Sequence, residues 1–371
     1  MTDEFYMEMC LELARQAQGR TAPNPIVGCI VLSADGKIVG RGHHERAGEP
    51  HAEVHALNEA GDAARGGTLY VNLEPCCHHG KTPPCSDRVI KSGVKRVVAG
   101  MQDPNPKVGG GGLKALNDAG IEVKVGILEE ECRFANRGFI KRIEKGLPWV
   151  CLKLATTLDG KIADRFNTSK WITGPDARHY VHELRNIYDC VLVGANTARQ
   201  DDPELNVREI DQGRHPIRAV VDPTLSIDPQ SRLCKADSGG RTIIFYSECE
   251  KSAAPEKFPS TVSLVPLSSK TISLGEKKHS HLIELKGALE FLASEKVLMV
   301  LCEGGGKLAS YLLREGLVDE VQWLVAPKIL GDHLAISAVD GDLPVKLTEI
   351  QKLKNVTTQK LGDDILIHGL L

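Results

Sequence analysis

No run of apolar residues in this chain approaches the length needed to span a bilayer, which argues against a membrane protein. No long basic run is present either, and the net charge is −3, so neither a nucleic acid nor an anionic membrane surface finds a matching positive face. The N-terminus, Met1-Thr2-Asp3-Glu4, carries acids where a signal peptide carries bases, and the expectation is a cytoplasmic chain. Disulfide-framework spacing is missing as well. The eleven cysteines are odd in number and scattered through both halves, which suits a reducing compartment. A G-x-G-x-x-G fingerprint is absent. The run Gly109 to Gly112 lacks the Lys-Ser/Thr ending of a P-loop and reads as a flexible entry to a helix.

What is present points to two domains. A chain of 371 residues exceeds what one hydrophobic core usually covers, and 42% hydrophobic with 26% charged residues is ordinary for a globular protein. The first half is organised around His51-Ala52-Glu53 and the run Glu74-Pro75-Cys76-Cys77 through Cys85. An imidazole and two thiolates make a three-ligand zinc site with a fourth position open for water, and a nearby carboxylate can move that water's protons. The chemistry suggested is hydrolytic deamination. A structural zinc is the bland alternative, since Cys77, His78 or His79 could close a four-ligand site. Adjacent cysteines rarely hold one tetrahedral ion without strain, so one of Cys76 and Cys77 is expected to bind. His51 and His55 sit one helical turn apart, but Ala52 stands where a zincin places its glutamate.

In chain order, Asp3 to Gln18 reads as an amphipathic helix stopped at Gly19, followed by the turn-forming Pro23-Asn24-Pro25. Gly28 to Leu32 and Lys37 to Gly42 read as a hairpin joined at Asp35-Gly36. Helices are expected to start near His51 and near Cys85, with strand Thr68 to Leu73 between them, so that two helix N-termini face the proposed metal. Strand Arg96 to Gly100, a helix through Leu113 to Ala119, strand Ile121 to Val125 and a helix from Glu129 to Ile143 follow, the rhythm of an α/β layered sheet. Lys145-Gly146-Leu147-Pro148 marks a boundary, giving domains 1–146 and 147–371. Beyond it come strand Trp149 to Ala155, helix Pro175 to Ile187, and strands Cys190 to Gly194 and Ile217 to Val221. Strand Val297 to Cys302 then delivers Glu303-Gly304-Gly305-Gly306 into a helix. Glycines at such a junction let backbone amides approach a phosphate. Asp228 to Lys286 carries no clear motif and reads as variable strands and loops.

The H-A-E triplet, Pro23-Asn24-Pro25 and the run Glu74 to Cys85 resemble the cytidine-deaminase-like superfamily, and within it the bifunctional deaminase/reductases of riboflavin biosynthesis. Eight residues separate Cys76 from Cys85, as in that riboflavin family, where the general deaminase signature has two. The second half resembles its reductase domain through L-D-G-K at 158–161, S-x-W-I-T at 169–173, T-x-x-x-D-D-P-x-L at 197–205 with Arg208 beyond, and E-G-G-G at 303–306. The resemblance implies an α/β protein with an N-terminal cytidine-deaminase-like layered domain and a C-terminal dihydrofolate-reductase-like domain. It makes His51, Cys76 and Cys85 the zinc ligands and Glu53 the proton shuttle. Asn24, His43, His78, Lys81 and Asn105 are placed at the deaminase substrate. It places Ala155, Trp171, Thr197, Asp201, Gly305, Gly306, Lys307 and Leu308 at NADPH, and Lys153, Ser169, Arg185, Leu205, Arg208 and Glu303 at the reductase substrate. The two arginines suit the substrate's ribose phosphate, since guanidinium forks match phosphate oxygens. The implied substrates are small phosphorylated pyrimidines, and the implied state is a homo-oligomer. A rival reading is a zinc-dependent nucleic-acid base deaminase with a targeting or nucleotide-binding second half. It requires the basic surface that this composition does not offer.

Overall fold

The computed structural model describes residues 1–77, 83–106, 108–235, 239–250, 255–273, 279–341 and 346–371. The chain divides into two compact units, Met1–Leu147 and Pro148–Leu371.

The first unit runs α1 (Asp3–Arg15), β1 (Gly28–Leu32), β2 (Ile38–His43), α2 (Ala52–Ala60), β3 (Thr68–Val71), α3 (Cys85–Ser92), β4 (Arg96–Ala99), α4 (Gly111–Asp118), β5 (Glu122–Val125), α5 (Glu129–Ala135) and α6 (Arg137–Lys145). Its five-stranded sheet has the order β2-β1-β3-β4-β5. The hairpin side is antiparallel, and β3, β4 and β5 are parallel. Thr2 caps α1 by accepting the Phe5 N–H, and Met7, Cys10, Leu11 and Ala14 form the buried face. The alternation of β2 puts Gly40 and Gly42 on the side that meets α2. A Cβ there would lie 2.0 Å from Ala56 O and 2.4 Å from Ala52 O, so only glycine lets the helix rest on the strand.

The helix expected from Glu129 to Ile143 is two helices, broken at Asn136. The break has a use. The buried Asn136 side chain accepts the Ile26 N–H (2.8 Å) and donates to Ile26 O (3.1 Å), while Asn72 Nδ2 also donates to Ile26 O (3.1 Å). The segment just beyond Asn24 is thereby fixed from two sides.

The second unit contains β6 (Trp149–Thr156), β7 (Lys161–Ala163), α7 (Pro175–Ile187), β8 (Cys190–Gly194), α8 (Ala195–Asp201), β9 (Ile217–Val221), β10 (Thr242–Ser247), β11 (Val262–Leu267), β12 (Ser269–Ser273), β13 (His279–Ile283), α9 (Leu285–Ser294), β14 (Met299–Cys302), α10 (Gly306–Arg314), β15 (Glu320–Val325), β16 (Ile336–Ser337), β17 (Lys354–Leu361) and β18 (Asp364–Leu370). Among the described residues the main sheet has the order β11-β10-β9-β8-β14-β6-β15-β18-β17, parallel from β11 to β15 and antiparallel at the β18 and β17 edge. Central strands such as Cys-Val-Leu-Val-Gly in β8 are apolar almost throughout because a parallel sheet is covered on both faces. Cys151, Leu184, Tyr188, Val191, Val193, Ile244 and Leu301 are among the residues of the core. The stretch 228–286, expected to hold variable strands and loops, also supplies the buried strand β10. Ile243, Ile244 and Phe245 are fully enclosed there between β9 and β11.

Two candidate active sites

In the first unit the chain brings His51, Cys76 and Cys85 together. His51 is the N-cap of α2 and Cys85 the first residue of α3, so each side chain leaves a helix start, while Cys76 lies just past β3. His51 Nδ1 is 3.2 Å from Cys85 Sγ and 3.6 Å from Cys76 Sγ, and the three ligand atoms lie within 4.8 Å of one another. Tetrahedral zinc with its usual bond lengths separates a nitrogen and a sulfur ligand by about 3.6 Å, so the donor set and its spacing fit that ion. Cys77 is not in this cluster. Its Sγ turns to Val108 O at 3.8 Å. The hydrogen bond from Cys85 and the neighbouring His51 lower the Cys76 pKa, which favours the thiolate form that a metal ligand needs. Glu53, in the first turn of α2, is 3% exposed, and burial raises its carboxyl above the ordinary range.

Asn24 and His44 form the wall beside this cluster. His44 Nδ1 lies 3.1 Å from Pro50 O and must donate to it, which leaves Nε2 as the acceptor of the Asn24 Nδ2 hydrogen at 3.0 Å. The His44 ring stands edge-on to His51, with centroids 5.2 Å apart, and burial lowers its pKa, favouring the neutral form. His43, the neighbour singled out in the sequence, is the half-buried last residue of β2. Asn105 lies between β4 and α4, its N–H donated to Asp103 Oδ1 at 2.8 Å. His78 and Lys81 lie outside the described residues. The Gly109–Gly112 run is not slack. A Cβ on Gly112 would sit 1.9 Å from Pro75 O, and the amides of Gly110 and Gly112 are both bound by Glu74.

The second unit carries a cavity of about 590 Å³ at the carboxyl ends of β6, β8 and β14, where ligands of open α/β sheets bind. Of the residues expected at NADPH, Ala155, Trp171, Thr197, Asp201 and Gly305 line it. All six expected at the reductase substrate, Lys153, Ser169, Arg185, Leu205, Arg208 and Glu303, do so too. Gly306, Lys307 and Leu308 do not line it; they open α10 behind the glycine turn, and Leu308 is buried against Gly194. Gly304 and Gly305 adopt φ of +109° and +87°, which leaves a side-chain-free turn at a helix start, as a phosphate-bearing cofactor needs. Arg185 is not a free phosphate clamp. Three of its N–H groups already bind Glu303 and Asn206 O. Arg208 is half exposed, and its backbone N–H is received by His182 Nδ1 at 3.3 Å. His182 lines the same cavity, and so does Arg178, stacked over the exposed Trp171 ring at 4.5 Å. The S-x-W-I-T strap is tied across the cavity by Ser169 Oγ, which donates to Asp201 Oδ1 at 3.0 Å.

A family model described as the cytidine and deoxycytidylate deaminase zinc-binding region matches residues 1–101, and the RibD C-terminal domain matches residues 148–367. The second half is therefore a reductase domain, and a targeting module is set aside. The chain is 41% identical to the riboflavin biosynthesis protein RibD of Aquifex aeolicus over 98% of its own length and 97% of that protein. It is equally identical to the Escherichia coli RibD over 99% of each. Its fold superposes with a TM-score of 0.86 and 38% identity on the diaminohydroxyphosphoribosylaminopyrimidine deaminase/5-amino-6-(5-phosphoribosylamino)uracil reductase of Thermotoga maritima, covering 99% and 97% of the two chains. Both units, in the same order, thus match along a single relative. The chain belongs to the RibD family, the bifunctional enzymes of riboflavin biosynthesis that join a zinc-dependent deaminase to an NADPH-dependent, dihydrofolate-reductase-like domain.

Proposed function

We propose that the first unit deaminates a diaminohydroxyphosphoribosylaminopyrimidine and that the second reduces the ribosyl group of the resulting 5-amino-6-(5-phosphoribosylamino)uracil to ribityl, as the name of the Thermotoga protein describes for that enzyme. The observation that carries the reading is the convergence of His51, Cys76 and Cys85 on one point with the buried Glu53 two residues from His51.

Zinc, when bound by those three side chains, supplies the Lewis acidity that makes water a nucleophile at neutral pH. The Glu53 carboxylate takes a proton from the attacking water and returns it to the departing nitrogen, so that water enters and ammonia leaves. Its burial suits both halves of that exchange, because a raised carboxyl pKa narrows the gap between its charged and protonated forms. Asn24, held by His44, and Asn105 present amides to the pyrimidine edge, with His43, His78 and Lys81 assigned to the same substrate.

NADPH, when bound along Ala155, Trp171, Thr197, Asp201 and the Gly304–Gly305 turn, would supply the hydride that goes to the sugar C1. Opening the ribose ring then requires a proton at its oxygen. Glu303 is held as a carboxylate by Arg185, and Asp201 accepts the Ser169 hydroxyl, so neither is arranged to donate. Lys153 is. Burial lowers its pKa, and its Nζ lies 3.8 Å from Glu303. Arg208 and the remaining N–H groups of Arg185 take the phosphate, with Ser169 and Leu205 on the substrate's flanks.

We place the functional boundary between residues 146 and 147, the protein in the cytoplasm, and the working state as a homo-oligomer that acts on small phosphorylated pyrimidines, without nucleic acid or membrane partners. No helix among the described residues is long and apolar enough to cross a membrane. Incubation with the diaminopyrimidine substrate, with and without NADPH, tests the scheme. Ammonia should appear in both cases, and NADPH oxidation should follow it. NADPH consumption that precedes ammonia release would break the order proposed.

A further inference from the structure

Glu74 is 3% exposed and has no substrate-facing role in the scheme above. Its carboxylate is nonetheless fully used. Oε2 accepts the N–H groups of Asp103 (3.1 Å) and Gly110 (2.9 Å), and Oε1 accepts those of Gly112 (2.9 Å) and Leu113 (3.2 Å). The bonds form a closed circuit. Asp103 Oδ1 accepts the Asn105 N–H, Asn105 O accepts the N–H groups of Val108 and Gly109, and Gly110 returns to Glu74. The same segment is pressed onto the chain that follows Glu74. A Cβ on Gly112 would meet Pro75 O at 1.9 Å, and one on Gly111 would meet Cys77 Sγ at 2.7 Å.

We propose that Glu74 is a positioning residue of the deaminase: it fixes residues 103–106 and 108–113, and with them Asn105, against the Pro75–Cys77 segment that carries a zinc ligand. The proposal rests on the reading of Asn105 as a substrate contact. A buried carboxylate without partners is costly, whereas one with four amide donors is satisfied and orients all four. Glutamine cannot replace it, because its NH2 group would face two amide N–H donors.

The test uses the full zinc-loaded chain and the variants Glu74→Gln, Asn105→Ala and the double variant. E74Q should keep its zinc and its full reductase activity while the deaminase KM rises about tenfold or more and kcat changes little. Because E74Q acts through Asn105, adding N105A should raise KM by less than about threefold further. Zinc loss, or a fall in kcat at unchanged KM, would overturn the proposal in favour of a residue that merely holds the metal loop. Fully multiplicative effects in the double variant would overturn it too. If N105A raises KM and E74Q does not, the proposal alone fails; if N105A leaves KM unchanged, the reading of Asn105 fails and the proposal falls with it. Should E74Q not fold, Glu74→Asp keeps the charge on a shorter stem and should raise KM to a lesser degree, with wild-type KM counting against the proposal.

Discussion

Arg185 holds Glu303 through both ends of its guanidinium fork, Nε at 2.5 Å from Oε1 and Nη2 at 2.9 Å from Oε2, inside the reductase cavity. Lys153 stands behind the same carboxylate. Burial alone would raise the Glu303 pKa, but the two cations outweigh it and the net shift is downward. Glu303→Gln should therefore leave two buried cations uncompensated and destabilise the second unit by about 3–5 kcal/mol. Thermal melts followed by reductase and deaminase activity would show loss of the former first. A carboxylate with a depressed folded pKa contributes stability above its unfolded value and loses it as pH falls through the folded one. The gap between wild type and E303Q should close as pH falls beneath the ordinary glutamate value and through the depressed folded one. A gap that persists in acid would contradict the ion pair.

Glu53→Gln removes the proton carrier without removing a metal ligand. Deamination should fall by about 10²–10⁴-fold while zinc content stays at one per chain, and reduction of pre-deaminated substrate should continue. Ammonia release, metal analysis and NADPH oxidation measure the three quantities. Equal loss of both activities would sink the assignment of one chemistry to each unit.

Cys76 and Cys77 are neighbours with different surroundings. Cys85→Ala and Cys76→Ala should each release zinc. Cys77→Ala should retain it, since that thiol faces Val108 O and stands outside the ligand cluster. Metal content after gel filtration decides the matter, and zinc loss in C77A would return the four-ligand structural site to consideration.

His182 offers a pH signature. Its Nδ1 can receive the Arg208 N–H only while the ring is neutral, and burial, opposed by Glu303 and Glu209 and reinforced by Arg185 and Arg208, lowers its pKa. The reductase KM should rise as pH falls well beneath the usual histidine value. His182→Asn keeps an acceptor that does not titrate, and should flatten that limb. An unchanged acid limb in H182N would assign it to another group.

The His51, Cys76 and Cys85 cluster is legible in the sequence because zinc demands particular residue types, and because prolines and glycines mark where helices must begin. Secondary structure is legible for the same local reasons: helix Pro175–Ile187 and strands Cys190–Gly194 and Ile217–Val221 have the expected bounds. The supporting residues are not legible. Glu74, Asn136 and His182 act through backbone groups far away in sequence and His44 through the Asn24 side chain, and no local pattern distinguishes a buried histidine or asparagine that grips a remote group from one in a turn. The break at Asn136 is an example, since the helical pattern runs through it and a bond to Ile26 decides otherwise. Strand β10 escaped for a different reason. Its flanks are polar, and its partners β9 and β11 define it only once the sheet is assembled.

The place of β14 bears on how the protein is made. This strand leaves the ribosome after β6 and β8 yet lies between them, and it delivers Glu303 and the glycine turn to the cavity. Until residue 302 has emerged, the two earlier strands have no neighbour to join them, so the centre of the sheet cannot close during the first part of synthesis. The deaminase unit, complete by Leu147, meets no such wait. A growing chain can thus own a finished zinc site while its reductase is still two open halves.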